Sequence, residues 1–241
     1  MTAGYILICF ATVLAGLSQG VCGFGAGVLS MMVLPHYFPM TRAAGISGAV
    51  SLALTLLMVI RYRKHVNVKK MLLPLLVYAG CSALAIRFGT RLDQAVLKRV
   101  FGGFLICLTL YHFILSKKEV EEWNAPLCVA AWAFSGVCSG LFAVGGPLMV
   151  LYFISHTDSK EEFFGTTELL FCVNLVSGTF LRVKSGIITS AELPLILVCI
   201  VCVALGLFIA NKIVERVNGQ MLKNIVYVGV GISGIINLLG G

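Results

Sequence analysis

Long apolar runs separated by short polar loops dominate the chain. Runs without a charged residue extend over 43–60, 71–86, 100–116, 193–211 and 224–241, and each approaches the roughly 20 residues that a helix needs to cross a bilayer. Two longer charge-free runs cover 1–41 and 123–157, and an apolar stretch over 163–181 contains a single acid, Glu168. This pattern predicts an all-α polytopic membrane protein with about 8 to 10 membrane segments.

The two halves of the chain repeat one order of features. With an offset of about 120 residues, the segment 25–29 aligns with 144–148, and 45–47 aligns with 165–167. Arg61 then aligns with Arg182, and Pro74 aligns with Pro194. Identities are few, but their shared order indicates an internal duplication. We predict two homologous transmembrane repeats, residues 1–120 and 121–241.

Each half begins with an apolar run that is too long for one span. A straight helix over residues 3–38 would reach about 54 Å, whereas the hydrocarbon core is about 30 Å thick. Glycines clustered over 20–27 and over 136–146 allow the backbone to turn. The sequence leaves two alternatives, a hairpin or an interrupted single span. The hairpin satisfies the positive-inside rule better, because it places more Lys and Arg residues on one side, and it predicts inverted repeats.

Composition places the protein in lipid and excludes several functions. The chain is 59% hydrophobic and 12% charged, and the basic residues behind its net charge of +8 lie in short loops, so we expect no nucleic-acid partner. The nine cysteines lie mostly inside apolar runs and are interpreted as small buried hydrophobes. The histidines show no metal-ligand spacing, so we expect no metal and no cofactor. No phosphate-binding loop motif is present, which argues against ATP hydrolysis by this chain.

The glycine breaks are the main candidate site. Non-helical backbone at membrane depth is tolerated where protein buries it or where it lines a cavity. Helices predicted to restart at Val28 and Pro147 would point free N–H groups and positive dipole ends inward, which suits an anion. Alternatively, the glycines only allow close helix packing. The predicted substrate-binding residues are Gly23, Phe24, Gly25, Ala26 and Gly27 in the first half, and Ala143, Val144, Gly145, Gly146 and Pro147 in the second.

Polar residues on the helices after each break are further candidates. Hydroxyl groups on these helices could bind an oxyanion, or could bond their own helix backbone. They belong to Ser47 and Ser51 in the first half, and to Thr166, Thr167 and Ser177 in the second. Asn174 lies close to the same helical face as Glu168. Its alternative role is a hydrogen bond between helices.

Charged candidates are few. Glu168 could take up a proton and couple it to transport, or could lie near the membrane boundary and reach water. Arg61 and Arg182 could attract anions toward an entrance, or could be ordinary loop charges.

Two glycine motifs in matching places carry a family resemblance. They are Gly23-Phe24-Gly25-Ala26-Gly27, followed by Pro35, and the segment from Val144 to Val150. In their duplication and order the chain resembles the TauE/SafE family of sulfite exporters and sulfonate permeases over essentially its whole length. Ala26, Ala143 and Val144 stand where a family glycine would be expected. The resemblance implies a multi-pass transporter of the bacterial inner membrane that moves a small sulfur oxyanion by alternating access, and not an enzyme.

Three alternatives stay open at this point. An anion channel would show high flux without coupling. A membrane-embedded enzyme of sulfur metabolism would need a nucleophile with a base or a metal, and only Cys22 and Cys138 lie near the glycine loops. A purely structural subunit is the third alternative. The expected partners are a small anionic substrate and the lipid bilayer, and the glycine-rich faces permit a homodimer.

Overall fold

The computed structural model describes residues 2–22, 25–115, 124–213 and 219–239, and no strand occurs among them. The α-helices of these residues are α1 (Thr2–Cys22), α2 (Ala26–Val33), α3 (Met40–Tyr62), α4 (Val68–Gly89), α5 (Gln94–Leu110), α6 (Ala125–Phe142), α7 (Gly146–His156), α8 (Lys160–Lys184), α9 (Leu193–Ile213) and α10 (Gly219–Leu239). Within the described ranges, 7 helices are long and apolar enough to cross a membrane, and three shorter apolar segments accompany them. The prediction of an all-α polytopic membrane protein is confirmed.

Polar residues fix where several helices begin. Asn67, Asp93, Asn124 and Ser159 each precede a helix, and each side chain accepts a hydrogen bond from a backbone N–H group of the first turn. Because these N–H groups have no partner inside the helix, such a cap stabilises the protein by about 0.5–2 kcal/mol. Helices α2 and α7 differ, because each follows a glycine, which has no side chain that could cap the helix.

The chain reverses direction at both glycine breaks. The N–H group of Ala26 donates to Gln19 Oε1 at 3.1 Å, so α2 begins beside the preceding helix. In the second half, a Cβ on Gly145 would lie 2.6 Å from the carbonyl oxygen of Ser135. In one continuous helix those two residues would be about 15 Å apart. Both breaks are therefore hairpins, and the left-handed conformation of Ala143, with φ 54°, ends α6 at the turn.

The two returning helices begin slightly earlier than predicted. The structure starts α2 at Ala26 instead of Val28, and α7 at Gly146 instead of Pro147. Proline still lies in the first turn of α7, where its missing N–H group leaves no helical bond unmade. Gly27 and Gly146 therefore lie within the first turns of α2 and α7.

Glycines bring helices from the two halves into backbone contact. Gly16 of α1 packs directly on the backbone of Val203 in α9, and Gly136 of α6 packs in the same way on Tyr78 of α4. A Cβ at either glycine would overlap a carbonyl oxygen of the neighbouring helix. Small residues are therefore required at these crossings, as is common between helices in membranes. In both pairs the two helices run parallel.

Helices in corresponding places of the two predicted repeats pack antiparallel. Tyr62 near the end of α3 stacks on Phe164 near the start of α8, with ring centroids 5.2 Å apart. Gly45 near the start of α3 lies against Arg182 near the end of α8. Helices α5 and α10 also cross antiparallel. Inverted repeats predict this arrangement, and the division at residue 120 stays a prediction.

Candidate functional site

The tips of the two hairpins meet inside the protein. Gly27 lies so close to Ala143 that a Cβ on the glycine would overlap the carbonyl oxygen. Residues 25–28 and 143–147 line one cavity with an empty volume of about 470 Å³, including its open mouth. The two predicted glycine segments thus contribute to the same cavity.

Both helices direct their N-terminal ends at this cavity. First-turn N–H groups have no carbonyl partner within a helix, and the helix dipole makes this end positive. Gly25 has φ 122°, a conformation that residues with a side chain rarely adopt. Gly145 is packed against the Tyr78 hydroxyl group and the backbone of Ser135, which leaves no space for a Cβ. The arrangement suits a small anion.

Two buried side chains of the cavity wall carry unpartnered polar atoms. Ser51 Oγ on α3 and Asn174 Oδ1 on α8 have no hydrogen-bond partner among the described residues. Asn174 Nδ2 donates to Ser139 Oγ at 3.0 Å, which holds the amide at the wall. An unsatisfied buried polar group costs about 1–3 kcal/mol. The Ser51 hydroxyl group is therefore a donor that a bound anion would satisfy.

A buried acid is linked to the cavity through one side chain. Glu168 is 0% exposed and accepts a hydrogen bond from Gln19 Nε2 at 2.8 Å. Gln19 lines the cavity, and its Oε1 accepts from the N–H group of Ala26. The alternative in which Glu168 reaches water is wrong, because α8 packs against α3 and α4 and Gln19 bonds the carboxyl group.

Arg182 is buried, which corrects its interpretation as an exposed loop charge. Its side chain is 3% exposed, and the guanidinium group donates to the carbonyl oxygens of Gly140 at 2.7 Å and Ser139 at 3.4 Å. A Cβ on Gly178 would lie 3.2 Å from the guanidinium group, so this glycine makes room for it. The physical reason for the burial is that the last turn of α6 is the negative end of its helix dipole and attracts a cation.

One family model matches residues 8–236, nearly the whole chain, and the family is described as Sulfite exporter TauE/SafE. The chain belongs to the TauE/SafE family. This membership confirms the resemblance seen in the glycine motifs and makes the protein a multi-pass membrane transporter of sulfur-containing anions. No curated protein and no solved structure matches the chain significantly.

Three hydroxyl residues predicted for the site of this TauE/SafE protein do not line the cavity. Ser47 of α3 and Thr167 of α8 are buried, with no partner among the described residues for either hydroxyl group. Thr166 Oγ1 accepts a hydrogen bond from the backbone N–H group of Asn67 at 3.0 Å. Thr166 therefore supports the loop before α4.

Arg61 also falls outside the cavity wall. Arg61 is exposed at the end of α3 and bonds the side chain of Asn211, so it remains a candidate for attracting anions at a surface. Gly23 and Phe24 lie outside the described residues.

The cavity also includes residues that the sequence did not single out. They are Gln19, Thr55, Tyr78, Ser139, Phe171 and Leu175. The repeat gave no signal for Gln19 and Ser139, because the alignment of 25–29 with 144–148 pairs Gln19 with Cys138 in this TauE/SafE chain.

Proposed function

We propose that this TauE/SafE protein is a secondary transporter that carries sulfite, thiosulfate or a simple sulfonate across the bacterial inner membrane. The substrate binds in the cavity formed by residues 25–28 and 143–147. The position of two helix N-termini at one cavity carries this proposal. Free N–H groups and two positive helix ends stabilise an oxyanion without a fixed ion pair, which favours release as well as binding.

The cavity wall offers the donors that a sulfur oxyanion needs. Such anions present several acceptor oxygens around one sulfur atom. The N–H groups at the start of α2 and the hydroxyl group of Ser51 supply donors at the wall. Arg182 adds positive charge directly behind the cavity wall, because its guanidinium group donates a hydrogen bond to the backbone of Ser139, a residue of the wall. Among the described residues Arg182 forms no ion pair with an acid, so its charge remains available to the anion.

Alternating access is supported by the arrangement of the helices. Corresponding helices of the two halves, α3 with α8 and α5 with α10, pack antiparallel, as expected of inverted repeats over 1–120 and 121–241. The two hairpins enter the protein from opposite directions and meet at their tips. In transporters built from inverted repeats, one half moves against the other around a central site, so the cavity opens to each side in turn.

Glu168 supports coupling to protons. It is fully buried, and no described Lys, Arg or His forms an ion pair with it. An ionised carboxylate so near the cavity would repel an incoming anion, whereas a protonated carboxyl group would not. Proton and anion binding therefore favour each other, and both cross the membrane in the same direction.

Flux measurements in proteoliposomes test this function. Uptake of radiolabelled sulfite, thiosulfate and methanesulfonate is measured with and without a pH gradient for the native protein, Gly146→Leu and Glu168→Gln. We expect saturable flux that Gly146→Leu abolishes, because leucine fills the cavity, and that loses its pH dependence in Glu168→Gln. Unlabelled anion on the opposite side should accelerate exchange, which distinguishes a carrier from a channel. If the native protein moves none of the three anions, the proposal is wrong.

A further inference from the structure

Gln19 connects Glu168, which binds the proton in the proposed function, to the first turn of α2, which binds the anion. Its side chain spans from Glu168 on α8 to Ala26 at the start of α2, with hydrogen bonds of 2.8 Å and 3.1 Å. The residue is 5% exposed, so water does not compete freely for either bond. The three groups thus form one continuous chain from a buried carboxyl group to the cavity.

The chemistry of the partners fixes how the Gln19 amide is oriented. A backbone N–H group can only donate, so the amide oxygen must face Ala26. The amide nitrogen then faces Glu168 and donates to its Oε1 atom. Gln19 Oε1 consequently occupies a first-turn N–H group of α2, one of the groups that an anion in the cavity would use.

The charge on Glu168 determines how firmly Gln19 is held in this orientation. A hydrogen bond to an ionised carboxylate is roughly twice as strong as one to a neutral acid. The second carboxyl oxygen, Oε2, has no hydrogen-bond partner among the described residues and can carry a proton. The titratable group that interacts with Glu168 from its own helix is Cys172. Among described residues, the ion pairs of Lys70 and Arg42 involve other acids.

We propose that Gln19 is a positioning residue that couples protonation of Glu168 to anion binding at the first turn of α2. This inference rests on the proposed function. With Glu168 ionised, Gln19 is held firmly and its oxygen blocks the N–H group of Ala26. Protonation weakens the bond to Glu168, so the amide can turn away and the anion can accept the hydrogen bond of Ala26 instead. By linkage, a bound anion favours protonation of Glu168 to the same extent.

The second half of the chain has no equivalent link. In the alignment of 25–29 with 144–148, Cys138 stands at the position that corresponds to Gln19, and a thiol cannot bridge two partners as an amide can. Gly48 stands at the position that corresponds to Glu168 in the first half. The coupling device therefore belongs to the α1–α2 hairpin alone, although both hairpins contribute to the cavity.

A double-mutant cycle separates this role from direct repulsion between Glu168 and the anion. Thiosulfate affinity is measured by calorimetry from pH 5.5 to 8 for the native protein, Glu168→Gln, Gln19→Met and the double variant. Thr12→Val serves as the control on α1, because Thr12 is buried in the same helix as Gln19 but does not line the cavity. The control should reproduce the native pH profile. Thiosulfate stays a dianion over this range, so a change of affinity with pH reports on the protein.

The effect of Glu168→Gln should differ between the protein with Gln19 and the Gln19→Met variant. At pH 8, Glu168→Gln should tighten thiosulfate binding about tenfold in the native background, a typical size for coupling between sites. In the Gln19→Met background, Glu168→Gln should tighten thiosulfate binding by a factor that is at least three times smaller. Thiosulfate affinity should then also depend less on pH. Equal effects of Glu168→Gln in both backgrounds, or a native affinity that does not change with pH, would overturn the role of Gln19.

Two further outcomes are distinguishable from these. If Gln19→Met does not fold, Gln19→Asn gives the same test, because the shorter side chain cannot reach both partners. If the native protein neither binds nor transports any of the three sulfur anions, the proposed function itself fails, and the inference falls with it.

Discussion

A single methyl group at Gly27 should separate the two hairpin tips. The Cβ of an alanine there would overlap the carbonyl oxygen of Ala143 and lie 3.3 Å from its carbonyl carbon. Optimal contacts between carbon atoms are about 3.5–4.0 Å, and a backbone carbonyl cannot rotate aside as a side chain can. Forcing an extra carbon into such a packed position costs about 1–3 kcal/mol. The alternative to this strain is a displacement of α2 away from α7.

Gly27→Ala should weaken anion binding, because it moves the hydrogen-bond donors at the start of α2. A displaced α2 no longer presents its N–H groups to an anion held by α7, and a hydrogen bond to a charged group contributes about 1.5–3 kcal/mol. Since about 1.4 kcal/mol corresponds to a factor of ten in affinity, Gly27→Ala should weaken anion binding about 10- to 100-fold. The assay is thiosulfate binding and flux in proteoliposomes containing equal amounts of protein.

Gly80→Ala is the matched control. No atom lies within 4 Å of a Cβ built on Gly80 in α4, and alanine in a helix is favoured over glycine by about 1 kcal/mol. This control should fold at least as stably as the native protein and transport at the native rate. If Gly27→Ala binds and transports thiosulfate as well as Gly80→Ala does, the tips do not form the anion site and the reasoning fails.

Three further substitutions give distinct results. Arg182→Met should lower flux at least about tenfold, with partial recovery in Arg182→Lys, because the buried positive charge behind the cavity is lost; unchanged flux in Arg182→Met would contradict its role. Ser51→Ala should weaken thiosulfate binding about tenfold without lowering the unfolding temperature, because the Ser51 hydroxyl group has no partner to lose among the described residues. A lower unfolding temperature with native affinity would contradict this. Gly16→Leu should lower the unfolding temperature in detergent by several degrees, because it forces α1 away from Val203; native stability would show that the helices are not in backbone contact.

Features that depend on local chemistry could be predicted from the sequence. The apolar runs require helices in lipid, and clustered glycines next to Pro147 mark places where a helix cannot continue. Both breaks occur where the sequence indicates, and both face the same cavity. The distribution of basic residues favoured the hairpin over the interrupted span without deciding between them, because orientation in the membrane is set by charge in the loops.

Features that depend on distant contacts could not be predicted. Gln19 reads as one polar residue in an apolar helix, and its importance comes from Glu168, which lies in the other half of the chain. Arg61 and Arg182 stand at equivalent places in the two repeats, yet only Arg182 is buried. That difference arises from Gly48 and Gly178, which leave space for a guanidinium group beside the end of α6. Spacing along the sequence contains no information about such space.

An anion bound between the two hairpin tips would be seen by anomalous diffraction at the selenium edge, from crystals grown with selenite as the selenium analogue of sulfite. We expect one strong peak between Gly27 and Gly146, within hydrogen-bonding range of the first turns of α2 and α7. A peak elsewhere, or an empty cavity in a preparation that transports selenite, would show that the anion does not bind between the tips.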